Sequence, residues 1–231
     1  HFWVMGISLL AFPAFVFCFG RTAALAYLQK PFRQALPRMG RTFLRCLAAF
    51  YVSGTAYRVL REHKPLNAET LRGILLLSDI PGWSEFLIAF ALLMLAAIVL
   101  FPLLRQLSRR RWLWLPLSVL CLLGCFLPYD RITLPQLALL VGGKDLVTFP
   151  IVQYFPFFLA GVAYTDASFR ERLGMGGTAL AFSAAGLVWY VRHGLPERFP
   201  PHWAWILLPC FALALLTALC HGLCRLPGEK Y

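Results

Sequence analysis

The chain has 231 residues, of which 60% are hydrophobic, and 22 Lys and Arg against 10 Asp and Glu give it a net charge of +12. This composition excludes an ordinary soluble domain, in which about half of the residues are apolar. It also excludes a nucleic-acid-binding protein, because the sequence predicts no folded soluble surface on which the positive charge could gather. We therefore predict an integral membrane protein.

Seven apolar stretches follow one another along the chain, each close to the ~20 residues that a helix needs to cross a hydrocarbon core of about 30 Å. We predict an all-α fold, a polytopic transmembrane helix bundle of about seven spanning helices in a single domain, residues 1–231. Because the number of stretches is odd and the first follows abruptly after His1, we expect a fragment of a longer multipass protein with at least one earlier helix. The stretches are Leu10–Leu28, Phe43–Leu60, Trp83–Leu104, Trp112–Pro128, Leu146–Tyr164, Gly174–Val191 and Trp203–Cys224.

The loops between the stretches alternate in charge, and this alternation predicts the orientation. Cytoplasmic loops are enriched in Lys and Arg, so the more basic set is assigned to the cytoplasm. Residue 1 is then extracytoplasmic and the C-terminus is cytoplasmic. The basic loops are Gln29–Arg45, Arg105–Arg111, Thr165–Leu173 and Arg225–Tyr231; the nearly neutral loops are Arg58–Pro81, Tyr129–Asp145 and Arg192–His202.

The cysteines lie within the apolar stretches, where a thiol behaves as a small hydrophobe. The pair Cys220 and Cys224, beside His221, is the arrangement most similar to a metal site, but a metal needs more converging ligands. We expect these cysteines to pack in the bundle and the protein to bind no metal.

Other features predict a bundle that is not ideally packed. Two apolar segments, Leu71–Ile80 and Ile132–Gly143, are too short to span and are expected on the outer side, either re-entrant or loosely on the surface. Helix faces that contain glycine allow close helix approach. These glycines are Gly54, Gly124, Gly161 and Gly186.

Arg21 lies within the first apolar stretch. A guanidinium at this depth costs at least about 2.5 kcal/mol unless it is paired or hydrated. One interpretation is an arginine that faces a polar cavity in the bundle and binds a phosphate or a carboxylate. The other is an arginine at a helix end that extends to the lipid headgroups.

The outer half of the second stretch has a polar stripe of Tyr51, Thr55 and Arg58, spaced i, i+4, i+7 on one helix face. Such a stripe is typical either of a solvated cavity or of hydrogen bonds between helices. Glu85, at the start of the third stretch, is the nearest apparent counter-charge in the sequence. The candidate substrate-binding residues are Arg58, Tyr51, Glu85, Arg192 and His193.

Two segments of the chain resemble known acyltransferases. The run from His1 through Phe12-Pro13-Ala-Phe15-Val-Phe17-Cys-Phe-Gly20 resembles the start of the heparan-alpha-glucosaminide N-acetyltransferase-like family. Leu9 stands where that family has an acidic residue. The segment Phe149–Gly161 is similar to late helices of the wider transmembrane acyltransferase superfamily, which includes the bacterial acyltransferase 3 proteins.

The resemblance implies that acyl-CoA, with acetyl-CoA expected, docks from the cytosol and that its phosphates meet arginines. His1 would be the catalytic general base or a transient acyl carrier. The acceptor would be a sugar, glycan or lipid-linked sugar at the extracytoplasmic face of a bacterial plasma (inner) membrane. The partners are then the bilayer and the acceptor, and an oligomer is compatible with this arrangement. The candidate cofactor-binding residues are Arg21, Arg38, Arg41 and Arg45.

Two other functions fit the same pattern. The first is a transporter or flippase for an anionic or lipid-linked substrate, whose path would be lined by Arg21 and the Tyr51, Thr55 and Arg58 stripe. The second is a non-catalytic scaffold subunit of the membrane, in which Arg21 pairs within a complex. Binding of acyl-CoA distinguishes the enzyme from both.

Overall fold

The computed structural model of the chain describes residues 2–82, 84–144 and 149–223, with side chains from residue 6 onward. Within these ranges the secondary structure is helical and no strand occurs, so the all-α prediction is confirmed. His1, Trp83, Leu146, Cys224 and the loop Arg225–Tyr231 lie outside the described residues.

Eleven α-helices make up the described part of the chain, and two of them continue into π-helical turns. Short 3-10 turns precede and follow α6, and a third lies at Tyr129–Arg131. The helices are α1 Phe2–Ala23 (continued by Ala24–Leu28), α2 Phe32–Ala56 (continued by Tyr57–Arg61), α3 Ala68–Leu75, α4 Glu85–Val99, α5 Phe101–Arg109, α6 Trp114–Leu122, α7 Pro135–Val141, α8 Ile151–Tyr164, α9 Phe169–His193, α10 Trp203–Leu207 and α11 Cys210–Leu223.

Among the described residues, three helical segments are long and apolar enough to cross a membrane: Gly6–Leu28, Phe169–His193 and Trp203–Leu223. A fourth span results if α4 and α5, which meet at an angle of 79°, are taken as one broken helix. The segments Arg111–Phe126 and Ile151–Tyr164 are apolar but shorter. The structure is therefore helical, and the segments in its described part that could cross a membrane are fewer than the predicted seven.

Two of the predicted stretches depart from a simple span for identifiable reasons. The second helix begins at Phe32 instead of Phe43, so much of the predicted basic loop is helical and polar. The third predicted stretch is broken at Leu100, where Pro102 lies in the first turn of α5. A proline has no amide hydrogen to continue the preceding helix, so it favours the start of a new one.

The short helix α8 lies at the centre of the bundle, and α1 packs along it. The two backbones touch through glycine: a Cβ atom at Gly161 would overlap the Phe17 carbonyl oxygen, and one at Gly20 would overlap that of Phe158. On the other side, a Cβ at Gly124 of the turn after α6 would meet Gln153 at 3.2 Å. The prediction that Gly161 permits close helix approach is therefore confirmed.

Gln153 connects the N-terminal end of α8 to the segments around it. Its side chain is fully buried, and Nε2 donates to the carbonyl oxygens of Val141 at 2.6 Å and Gly124 at 3.1 Å. The Tyr129 hydroxyl, which lies 3.2 Å from the same nitrogen, donates to Gly124 as well. One amide therefore connects the central helix to the end of α7 and to the two 3-10 turns that contain Gly124 and Tyr129.

The two short outer segments form the helices α3 and α7, which pack onto α2 and α4. Ile74 of α3 and Leu139 of α7 are buried together with Phe50 and Ile88. Gln136 Nε2 also donates to the Leu76 carbonyl oxygen at 2.6 Å. These segments are docked on the protein and are not loose surface elements.

The last three helices form a unit in which α9 packs against α10 and α11. Trp205, Ile206 and Leu213 of this unit are buried in the main core. Of the residues of α9, Gly186 alone is buried, where a Cβ atom would meet the Ala204 carbonyl oxygen at 3.1 Å. The other faces of α9 are apolar over most of their length, as expected for a helix in contact with lipid.

Candidate functional site

A basic groove lies where α5 turns away from α4. The groove has a volume of about 570 Å³. Phe101, Leu104 and Leu107 of α5 are buried, which directs the arginines of this amphipathic helix away from the core. Phe32, at the start of α2, lies with its ring centroid 5.0 Å from that of Phe101. The residues that line the basic groove are Phe32, Phe101, Pro102, Arg105, Gln106, Arg109 and Arg110.

The arginines of the basic groove have no acidic partner. No carboxylate among the described residues lies within 4.0 Å of Arg105, Arg109 or Arg110. Guanidinium groups bind phosphate oxygens in bidentate geometry, and aromatic side chains stack on a purine ring. The groove therefore has the chemistry required for the phosphates and base of a nucleotide.

The predicted donor-binding arginines do not line the basic groove. Arg38, Arg41 and Arg45 lie exposed on α2, since the segment predicted as a loop is helical. Arg21 lies instead against α8. Sequence reasoning assigned Arg105 and Arg109 only to a charged loop and missed their position in the groove, because the break at Leu100 is not visible in hydrophobicity alone.

An arginine cluster, formed by Arg21, Tyr164, Arg172 and His221, lies at the C-terminal end of α8. The guanidinium carbons of Arg21 and Arg172 lie 5.5 Å and 4.9 Å from the centroid of the Tyr164 ring. Arg172 Nη1 is 2.6 Å from His221 Nε2. The Nε atoms of both arginines are buried and have no hydrogen-bond partner among the described residues. Arg21 thus lies against the Tyr164 ring of α8.

An apolar cavity adjoins the arginine cluster. It has a volume of about 930 Å³ and lies between α8 and the unit of α9 and α11. Phe157, Phe182 and Phe211 are among the apolar side chains of its walls, whereas Arg172 and His221 line its polar end. Cavities of this size, between about 300 and 1,000 Å³, are typical of sites for organic ligands.

In the π-helical turn that continues α2, Arg58 is neutralised by two carboxylates. Its guanidinium forms ion pairs with Glu62 and Asp79, and only 9% of the residue is exposed. The Tyr51 hydroxyl donates to the Leu75 carbonyl oxygen at 3.3 Å. The polar stripe therefore binds α2 to the segment around α3, and the expectation that Glu85 is the counter-charge of Arg58 is wrong. The partner Asp79 was missed because it is distant along the chain.

The remaining candidate substrate-binding residues have surroundings other than the Arg58 ion pairs. His193 stacks on Trp189 at 5.0 Å, and both His193 and Arg192 are exposed at the end of α9. Glu85 interacts electrostatically with Arg198, which sequence reasoning missed. The guanidinium carbon of Arg198 lies 5.2 Å from the ring centroid of Phe149.

The ion pairs of Arg58 predict that acid destabilises the outer segment. The hydrogen bond from Arg58 lowers the pKa of the Glu62 carboxyl below its ordinary 4.5. A carboxyl group with a lowered pKa stabilises the folded state above its unfolded pKa, and this stabilisation is lost as the pH falls through the folded pKa. We expect the advantage in Tm of the unmodified protein over Glu62→Gln to shrink below about pH 4.5. Parallel Tm profiles for the two proteins from neutral pH to about pH 3 would contradict this role.

Comparisons of the chain with protein-family models, with curated proteins and with solved structures find no match. The acyltransferase resemblance therefore rests on the two sequence segments named above, and the function has to be argued from the geometry of this chain.

Proposed function

We propose that the chain is part of a membrane-bound acyltransferase that moves an acyl group, acetyl being expected, from cytosolic acyl-CoA to a sugar or glycan acceptor at the extracytoplasmic face. The seven spans of the sequence prediction belong to this proposal, with α2, α6 and α8 as the shorter or more polar crossings. The observation on which it depends is the basic groove, in which Phe32 and Phe101 lie together with arginines that pair with no described carboxylate.

The groove suits the nucleotide end of coenzyme A. Arg105 and Arg109 can neutralise the phosphates, and the Phe32 and Phe101 rings offer a surface for the adenine. The groove belongs to a loop region that the charge pattern assigns to the cytoplasm, where acyl-CoA is found. The acyl end of the donor would then extend into the bundle.

His1 is the proposed general base, and it lies outside the described residues. In the transfer, His1 accepts the proton from the acceptor hydroxyl or amine while the oxygen or nitrogen of that group attacks the thioester carbonyl carbon. The new ester or amide bond forms, the carbon–sulfur bond breaks, and the departing thiolate of coenzyme A takes up the proton. No oxidant, reductant or metal is required for this balance.

The proposal is tested by binding of radiolabelled acetyl-CoA to the purified protein in detergent. The double variant Arg105→Ala/Arg109→Ala should bind at least about tenfold more weakly, because two charge-assisted contacts to phosphate are lost. The variant Arg61→Ala/Arg72→Ala removes the same charge from exposed positions elsewhere and should bind normally. His1→Ala should retain binding and lose transfer.

Two results would contradict the proposal. If both double variants bound acetyl-CoA equally well, the basic groove would not be the donor site. A protein that binds no acetyl-CoA at all would not be the proposed enzyme.

A transporter is the second candidate function, and the break between α4 and α5 favours it. Transporters bind their substrates near helices that are interrupted inside the membrane. The helix α8, with 14 residues, is about 21 Å long and shorter than the ~30 Å hydrocarbon core. Uptake of a labelled anion by vesicles containing the protein, without any binding of acetyl-CoA, would favour this function.

A further inference from the structure

The arginine cluster carries positive charge that no described carboxylate neutralises. Among the described residues, no carboxylate lies within 4.0 Å of the guanidinium of Arg21 or of Arg172. The nearby Glu171 is already engaged, because it pairs with Arg111 at 2.7 Å and accepts the Ser168 amide at 2.7 Å. Two cations on one tyrosine ring, each with a buried unpartnered Nε, form a receptor for a negative group.

The walls of the adjoining cavity restrict what can carry this negative group. Aromatic and aliphatic side chains such as Phe157, Leu180, Ile206 and Phe211 line the cavity away from Arg172. A free phosphate ion would leave most of this apolar cavity of about 930 Å³ unfilled. A ligand with an anionic head directly attached to hydrocarbon chains would fit both parts.

We propose that the apolar cavity binds an anionic phospholipid of the cytoplasmic leaflet. The phosphate lies at Arg172 and Arg21, and an acyl chain lies between α8 and the unit of α9 and α11. The arginine cluster adjoins the basic loop Thr165–Leu173, which the charge pattern assigns to the cytoplasmic side. This lipid site is separate from the basic groove of the proposed acyl transfer and does not depend on that function.

The first test measures the binding of dioleoyl phosphatidate to the full chain by native mass spectrometry from detergent. The unmodified protein should retain one phosphatidate in preference to dioleoyl phosphatidylcholine. Arg172→Ala and Arg21→Ala should each weaken the binding at least about tenfold, since a charge-assisted contact to phosphate is lost. Arg170→Ala, an exposed arginine in the same first turn of α9, is the control and should bind normally.

The second test fills the cavity and leaves its charges in place. Gly176 lines the cavity, and a Cβ atom at this position meets no atom within 4 Å, so Gly176→Trp should fold and displace the acyl chain. Gly174 has the same open surroundings but does not line the cavity, which makes Gly174→Trp the matched control. Phosphatidate binding should be lost in the first variant and kept in the second.

Three results would overturn the lipid site. The first is phosphatidylcholine bound as tightly as phosphatidate, which would show an apolar groove without selectivity for charge. The second is phosphatidate binding that survives both Arg172→Ala and Gly176→Trp. The third is inorganic phosphate that displaces the lipid at equal concentration, which would show a simple anion site.

Discussion

Gly161→Ala is expected to destabilise the protein by about 3 kcal/mol or more, because the new methyl group would overlap a backbone atom. The Cβ atom would lie on the Phe17 carbonyl oxygen, and it would also be 3.0 Å from the Arg21 amide nitrogen. A flexible side chain could move away, but these atoms belong to the backbone of α1. The measurement is the free energy of unfolding in detergent, from a denaturant titration.

Gly40→Ala is the matched control for this substitution. Gly40 lies within α2, and a Cβ atom there meets nothing within 4 Å. Alanine should stabilise the helix at this position by about 0.5–1 kcal/mol. Similar free energies of unfolding for Gly161→Ala and Gly40→Ala would show that α1 and α8 are not in backbone contact.

Gln153→Leu is expected to cost about 1–3 kcal/mol, although leucine has a similar volume. The substitution removes the donor to the Val141 carbonyl oxygen, which would be left unsatisfied where water is scarce. The Gly124 carbonyl oxygen would keep its hydrogen bond from the Tyr129 hydroxyl. The cost should therefore be that of one unsatisfied group, measured as a loss in the free energy of unfolding.

The exposed residue Gln34 of α2 provides the comparison for Gln153. Gln34→Leu should change the free energy of unfolding by no more than about 0.5 kcal/mol, as is usual for surface positions. If Gln153→Leu were equally neutral, the side chain would not hold the loops around the outer end of α8.

The sequence predicts those helices whose apolar residues are continuous and misplaces those that are interrupted. The stretches Leu10–Leu28, Gly174–Val191 and Trp203–Cys224 coincide with the three long apolar segments of the structure, apart from their ends. The predicted start of the second helix lies after its actual start at Phe32, because the first turns of this helix are polar. Hydrophobicity measures burial in lipid, and it has no information on a polar helix that continues beyond the membrane.

In the candidate sites, the sequence indicates single unusual residues but not their contacts with residues distant along the chain. The position of Arg21 inside an apolar stretch left two interpretations open, and the structure places it on the Tyr164 ring. Its neighbour Arg172 could not be predicted, because the contact joins α1 and α9 across α8. Likewise, Gln153 is visible as a polar residue in an apolar helix, but its acceptors belong to α7 and to the 3-10 turn after α6, whose positions only the fold determines.

The glycine contacts between α1 and α8 have a mechanical consequence. With the Phe17 carbonyl fitted over Gly161 and the Phe158 carbonyl over Gly20, neither helix can slide along the other without a backbone collision. The two helices therefore move as one rigid body. The helices α6, α9 and α11 supply the other walls of the apolar cavity. A change in the width of this cavity therefore requires those helices to move relative to the pair of α1 and α8.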